Sequence, residues 1–326
     1  MATLKEVAER AGVTITTVSR MLNSPQKVST KTSAKIRRVM KELNYQPNEI
    51  AQSLSKKTSN FIGLIVPSSR NYFFCKIVDT VEKYTSKYGM KLLLCNSNHE
   101  KSKEIEYFNM LRANKVAGVI IASRTQNISE IADFHSPIIS IDRIISPDIP
   151  AVCADNYNGG YLAGKHLAGK GCKRLAYFSG SPKLTGMDAN RRLSGFESAL
   201  RDSGIAPPVV AELSEERFVS LEYEDIIKAF LHEHPEVDGI FTSNDILAAQ
   251  IIRHCLKSGI KIPEDLKVVG YDDIDLARLY SPSITTVHQP IEAICRFAVE
   301  SIVHFNDSLL PVNTTFPVEL IQREST

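Results

Sequence analysis

No two of the six cysteines (75, 95, 153, 172, 255 and 295) are spaced C-x-x-C in this chain of 326 residues. Scattered thiols of this kind exclude a zinc ribbon or a disulfide scaffold and suit a reducing, cytoplasmic setting. The eight histidines contain no H-E-x-x-H, and no G-x-S-x-G elbow occurs, so neither a metal, a cofactor nor an enzyme's nucleophile is expected. One stretch, Gly164 to Gly171 (GKHLAGKG), approaches a phosphate-binding loop. It ends in Gly instead of Ser or Thr and falls within a predicted helix, so Gly169 and Gly171 read as a helix stop. No apolar run is long enough to span a bilayer. The N-terminus is charged and amphipathic, without the apolar core of a secretory signal, which again points to the cytoplasm. Internal repeats are absent apart from a general strand–helix rhythm.

What is present is an ordinary globular balance, 43% hydrophobic and 23% charged, with length for a large core and more than one domain. The net charge of +2 conceals an asymmetry. Residues 1–60 carry eleven Lys/Arg against four Asp/Glu, a net of +7, and the remainder carries 28 against 33, a net of −5. A basic head on an acidic body is the electrostatic footprint of a nucleic-acid-binding domain joined to something with another role.

Within that head, Leu4, Val7, Ala8 and Ala11 fall at helical spacing, as do Val18, Met21 and Leu22 after a break at Gly12 and Val13. Thr14 stands where an N-cap belongs. The pattern predicts a helix-turn-helix whose second helix can enter the major groove. A third helix is predicted over Ser29–Leu43, capped by Ser29 or Thr30, with Ile36, Val39, Met40 and Leu43 as its apolar stripe. The segment LKEVAERAGVTITTVSRMLN resembles the headpiece of the lactose-repressor (LacI/GalR) family. That resemblance implies base reading at Ile15, Thr16 and Arg20. Chemically, Arg20 can grip guanine bidentately, Thr16 can bond a base edge and Ile15 can pack on a thymine methyl. Core packing is the alternative for Ile15, although Val13 and Val18 already supply that face. Thr14 and Asn23 are placed at the same DNA surface, and Thr17 and Ser19 suit phosphate contacts that set register.

From Asn44 to Asn60 the sequence reads as a linker. Pro47 ends what precedes it, and Asn48 can cap a helix over Glu49–Leu54 that is too short to stand alone. The resemblance implies a hinge helix that orders on operator DNA, with Leu54, supported by Ala51, wedging between base pairs in the minor groove. Many relatives carry Arg at the position of Gln52, so one phosphate contact is missing here. The expected domains are therefore a headpiece at 1–46, a hinge at 47–60 and an effector-binding and dimerisation domain at 61–326.

Beyond residue 60, strands are expected at 61–66, 91–96, 116–123, 137–142, 152–155, 174–180, 239–244, 267–272 and 318–322. Helices are expected at 72–88, 101–113, 157–169, 189–203, 220–232, 245–258 and 291–306. This alternation predicts an α/β body with parallel sheets, and the strand count predicts two lobes. The resemblance extends through the chain and implies a periplasmic-binding-protein-like body whose two lobes are joined by three crossings, with ligand between them. KLLLCNSNHEKSKEIEYFNML, PIISIDR and IPAVCADNYNGG also resemble the sucrose- and ribose-operon repressor branch.

Most candidate ligand residues lie at or just after the carboxyl ends of predicted strands, where open α/β sheets bind ligands, with Arg192 in NRRLSGF and Gln289 in HQP. The candidates are Phe73 and Phe74, Ser123, Asp142 and Arg143, Arg192, Asn244, Asp272 and Gln289. Residue by residue, the family's effector contacts fall on Phe74, Ser123, Asp142, Arg192, Asn244, Asp272 and Gln289. Asp and Arg together suit bidentate bonds to vicinal hydroxyls. Core packing competes for Phe73, an internal salt bridge for Arg143, and a structural ion pair for Arg192 with Asp272. Asp155 and Asn156 read first as a helix cap and lobe hinge.

These features predict a homodimeric repressor that binds a pseudo-palindromic double-stranded operator and is released by a sugar. A purine or other co-repressor is the alternative. The chain ends without the leucine-heptad tail that makes some relatives tetramers, so a dimer is expected. A sugar-transport component would need a secretory signal and no basic head. An enzyme would show turnover, and a phosphoprotein-dependent regulator would gain DNA affinity only with its partner.

Overall fold

A reciprocal capping box starts the headpiece. The Thr3 hydroxyl accepts from the Glu6 amide (3.3 Å), and the Glu6 carboxylate accepts from the Thr3 amide (2.9 Å). The box opens α1 (Leu4–Ala11), which Gly12 ends at φ +59°, a conformation that costs glycine little. Thr14 caps α2 (Ile15–Asn23), and Ser29 caps α3 (Thr30–Glu42). Val7, Ala8, Ala11, Val18, Met21, Ile36 and Val39 form the buried core of this unit. These are the apolar positions of the predicted stripes.

The computed structural model describes residues 2–45, 58–123, 134, 136–180, 187–305 and 313–326. The expected hinge helix, with Ala51 and Leu54, lies outside the described residues. The chain divides between Asn60 and Phe61 into two compact units, with Asn114–Val116 the one short exception.

The body begins with β1 (Phe61–Val66), α4 (Tyr72–Lys87), β2 (Lys91–Asn96), α5 (Lys101–Ala113), β3 (Gly118–Ile121), β4 (Ile138–Ile141) and β5 (Ala151–Ala154). It continues through α6 (Asn156–Gly169), β6 (Leu175–Ser179), α7 (Arg191–Asp202), β7 (Val209–Glu212), α8 (Glu215–Ser220) and α9 (Glu224–Glu233). Then come β8 (Gly239–Thr242), α10 (Asp245–Lys257), β9 (Lys267–Asp272), α11 (Asp275–Leu279) and β10 (Thr285–His288). The last elements are α12 (Ile291–Val303), β11 (Thr314–Phe316) and β12 (Glu319–Ile321).

Two six-stranded sheets result, ordered β11-β5-β4-β3-β1-β2 and β12-β10-β9-β8-β6-β7. Every pairing is parallel except β12 on β10. The near-continuous apolar runs of β1, β3, β4 and β8 are buried, as strands covered on both faces must be. The chain crosses between lobes after β5, after β10 and between β11 and β12, which gives the expected two-lobed α/β body.

Several elements differ from the sequence reading. The helix expected at 220–232 is α9, which starts only at Glu224; α8, which Leu221 ends at φ +59°, precedes it and was not expected. β7, β10 and β11 were not expected. In β10, Thr285 and Thr286 are fully buried, and their hydroxyls bond Thr326 and Asp245 (2.8 and 2.5 Å). Satisfied threonines replace the apolar alternation that would have marked a strand.

Candidate effector cleft and DNA-binding face

α2 exposes Ile15, Thr16 and Arg20, while Val18 and Met21 on its other face are buried. Ile15 is 47% exposed, so it does not serve the core. Thr14 and Thr17 are tied together: the Thr17 amide donates to the Thr14 hydroxyl at 3.2 Å, and the two hydroxyls meet at 2.9 Å. Thr17 and Ser19 are half-buried, and Asn23 is the last residue of α2. The arrangement offers one apolar and two polar side chains from the first turns of a capped helix, the geometry by which such helices read base edges.

In the body, eight of the nine expected ligand residues line one cavity of about 210 Å³ between the lobes. The first lobe supplies Phe73 and Phe74 at the start of α4, Ser123 after β3 and Asp142 after β4. The second supplies Arg192 at the start of α7, Asn244 before α10 and Asp272 at the end of β9, with Gln289 at the second crossing. Phe73 and Phe74 meet edge to face, with centroids 5.3 Å apart, and also pack on the first lobe's core. Arg143 is the exception among the nine. It does not line the cavity; its buried guanidinium donates to the Ser123 carbonyl (3.4 Å), so it braces the wall from behind.

Arg192 is held on three sides. Its Nε donates to Asn156 Oδ1 (2.7 Å), its Nη1 donates to the Ser243 carbonyl (2.7 Å), and its guanidinium carbon lies 3.6 Å from the Tyr271 ring centroid. Asn156 is the hub that the sequence reading underrated. Its amide nitrogen donates to Asp142 (3.1 Å) and Asp188 (2.8 Å), and its oxygen also accepts from the Tyr271 hydroxyl (3.1 Å). One fully buried amide at the first crossing thus links an acid of one lobe to the arginine of the other. Tyr177, Asn190, Glu212 and Phe218 also line the wall. Glu212 escaped notice because it lies on β7, an edge strand entered from two consecutive prolines.

α7 reaches the cleft because α6 and α7 pack backbone to backbone. A Cβ on Gly160 would fall on the Arg192 carbonyl, and one on Gly195 would fall on the Tyr157 carbonyl. Asp142 and Asp272 adopt φ +59° and +105°. Such backbone is uncommon outside glycine and concentrates at ligand sites, where the surrounding fold holds it.

Burial pushes the Asp272 carboxyl up to about 7, opposed by the nearby Arg192 guanidinium and the Gln289 hydrogen bond (2.7 Å). Asp245, buried beside it, is pushed well above the usual carboxylate range by burial and then by Asp272 itself. A folded carboxyl that titrates above its ordinary 3.8 binds its proton more tightly than the unfolded one. The stability tied to Asp272 is therefore present below about pH 4 and is lost as pH rises to about 7. Asp272→Asn should melt roughly 5 °C above the wild type at pH 8, and the gap should close by pH 4. Equal gaps at both pH values in thermal melts would contradict this sign.

Among the described residues, no cluster of His, Cys, Asp and Glu could hold a metal, and no helix is long and apolar enough to cross a membrane. The profile of bacterial regulatory proteins of the lacI family matches residues 3–48. The profile of periplasmic binding proteins and the sugar binding domain of the LacI family matches residues 59–323. The ribose operon repressor of Halalkalibacterium halodurans is 35% identical over 100% of this chain and 97% of its own. The sucrose operon repressor of Pediococcus pentosaceus is 37% identical over 98% of each. The lac repressor dimer bound to operator and the anti-inducer ONPF superposes with a TM-score of 0.84, at 27% identity over 99% of this chain and 98% of that one. By sequence over its full length and by fold, the chain belongs to the lacI family of bacterial regulatory proteins.

Proposed function

We propose that this protein is a homodimeric, sequence-specific DNA-binding repressor, acting in the cytoplasm, that a sugar bound between its lobes releases from a pseudo-palindromic operator. It binds and does not catalyse. Residues 1–46 form the headpiece, 47–60 the hinge and 61–326 the effector-binding and dimerisation domain. Ile15, Thr16 and Arg20 read bases; Thr14, Thr17, Ser19 and Asn23 fix register on the backbone; Leu54, supported by Ala51, wedges the minor groove. Phe73 and Phe74 stack on the sugar, while Ser123, Asp142, Arg192, Asn244, Asp272 and Gln289 bond its hydroxyls.

The observation that carries this reading is the convergence of both lobes on one cavity rich in acids, amides and aromatic faces around the fixed Arg192 guanidinium. A ligand there touches both lobes, so its affinity depends on their arrangement. It must then shift the population of the operator-competent state. The ribose and sucrose operon repressors named above favour a sugar over a purine as that ligand.

Arg20→Ala tests the DNA half. A bidentate Arg–guanine contact contributes about 1–3 kcal/mol of discrimination. The variant should lose roughly 10- to 100-fold of its affinity for a selected symmetric duplex and little for random DNA. An equal loss on both duplexes would assign Arg20 to phosphate and overturn its reading role.

A further inference from the structure

The turn that carries Asp272 is fastened by residues that the reading above does not use. Asp272 and Asp273 are consecutive residues with positive φ, +105° and +53°, and neither is glycine. Such backbone persists only where its surroundings over-determine it. Three sets of bonds do so here. The Asp272 carboxyl accepts from Gln289 Nε2 (2.7 Å). The Asp273 carboxylate accepts from His288 Nδ1 (2.9 Å) and from Arg323 Nη2 (2.6 Å). The Ile274 amide donates to the Asp245 carboxyl (2.9 Å).

The partners of Asp273 set it apart. His288 ends β10 and adjoins Gln289, so two successive residues of the turn after β9 hold two successive residues that lead into the second crossing. Arg323 follows β12, the strand that the third crossing feeds, and its Nη1 also donates to the Ile284 carbonyl (2.8 Å). On its backbone side, the Asp273 carbonyl accepts from Lys76 Nζ (3.4 Å). Lys76 belongs to the first lobe, on the same helix, α4, as Phe73 and Phe74. Burial alone would raise the Asp273 carboxyl, but the bonds from His288 and Arg323 outweigh it and hold it below the usual carboxylate range. The Asp273 and Arg323 side chains are each 17% exposed, so solvent screens this pair less than a surface pair. Asp273 itself does not line the cavity.

We infer that Asp273 is a positioning residue that joins the effector site to the lobe crossings, so that what a sugar does to Asp272 and Gln289 is passed to the second and third crossings and to α4. The inference rests on the reading of the cleft as a sugar site. Coupling between two sites needs an element whose arrangement both of them bias. Asp273 supplies it by making the turn after β9, the end of β10 and the segment after β12 one piece, which Lys76 ties to the opposite lobe. Its role is therefore in the response to sugar and not in the grip on sugar.

The test uses the full-length protein, D-ribose and sucrose, and a labelled pseudo-palindromic duplex with a central CG step. Calorimetry gives sugar affinity without DNA, and anisotropy gives operator affinity without sugar and at saturating sugar. The ratio of the two operator affinities measures the coupling. Asp273→Asn keeps a residue that tolerates positive φ, and Arg323→Met keeps the apolar stem. Each should bind sugar within about fivefold of the wild type, while a wild-type ratio of about 5- to 150-fold should fall at least threefold toward unity. Arg323→Lys, which returns a cation to Asp273, should recover part of the ratio. Lys76→Met, at a partly exposed site, should lower the ratio too, and it decides the matter if melting curves show that the other variants do not fold. Folded variants that keep the wild-type ratio overturn the inference and leave the sugar reading intact. So do variants that lose sugar affinity about 100-fold and keep the ratio, because Asp273 would then serve binding alone. A wild type whose operator affinity neither sugar alters overturns the sugar reading, and the inference with it.

Discussion

Gly160→Ala should lower the melting temperature by about 10 °C or more and weaken the effector response of whatever protein remains folded. In an exposed helix the same change would be favourable by up to about 1 kcal/mol, because alanine is the better helix former. Here the new methyl falls on the Arg192 carbonyl, a backbone atom that cannot rotate away. Overpacking a rigid contact costs roughly 1–3 kcal/mol and occasionally more, and in a domain of this size each kcal/mol shifts the midpoint by a few degrees. Gly195→Ala should behave alike, since its methyl meets the Tyr157 carbonyl from the opposite helix. Gly169→Ala is the internal control: it lies in the same helix with no atom within 4 Å of its added methyl, so its melting temperature should hold or rise slightly. Parallel thermal melts of the three variants check this. A Gly160→Ala protein as stable as Gly169→Ala would mean that α6 and α7 do not meet through their backbones.

The second large effect concerns Arg192. Arg192→Lys keeps the charge but cannot at once reach the Asn156 oxygen and the Ser243 carbonyl and lie flat on the Tyr271 ring. Sugar affinity should fall at least 100-fold, since truncating a buried, hydrogen-bonded charge contact costs on the order of 3 kcal/mol. Operator affinity without sugar should stay within about threefold, because no change of this kind touches α2. Operator binding before and after sugar addition separates the two, and an unaltered sugar response would remove Arg192 from the effector site.

The headpiece was legible almost to the residue. Its apolar positions are local, its caps are short-range hydrogen bonds, and Gly12 marks the turn by chemistry that only the sequence neighbourhood decides. The cleft was legible in part for a similar reason: parallel strands announce themselves as apolar runs, and their carboxyl ends point to the ligand. Arg143 adjoins Asp142 in the chain, and adjacency said nothing about which would face the cavity. After a strand end with Asp142 at positive φ, Arg143 braces Ser123 instead. Asn156 looked like a cap because its role depends on partners at 142, 188, 192 and 271, which only the folded lobes bring together. Asp273 reads as a second acid beside Asp272, and no local pattern shows that its partners lie at 76, 288 and 323.

The most direct test of the account is fluorescence anisotropy of a labelled pseudo-palindromic duplex with a central CG step, titrated with the full-length protein at fixed salt and then with D-ribose, sucrose or hypoxanthine. Binding should be saturable and tighter than to a scrambled duplex, a sugar should reverse it and hypoxanthine should not, and the same sugar should be ineffective on Arg192→Lys. By linkage, operator should weaken that sugar's binding by the same factor. Sugar binding in the cleft that leaves operator affinity unchanged, or operator binding that only hypoxanthine alters, would contradict it.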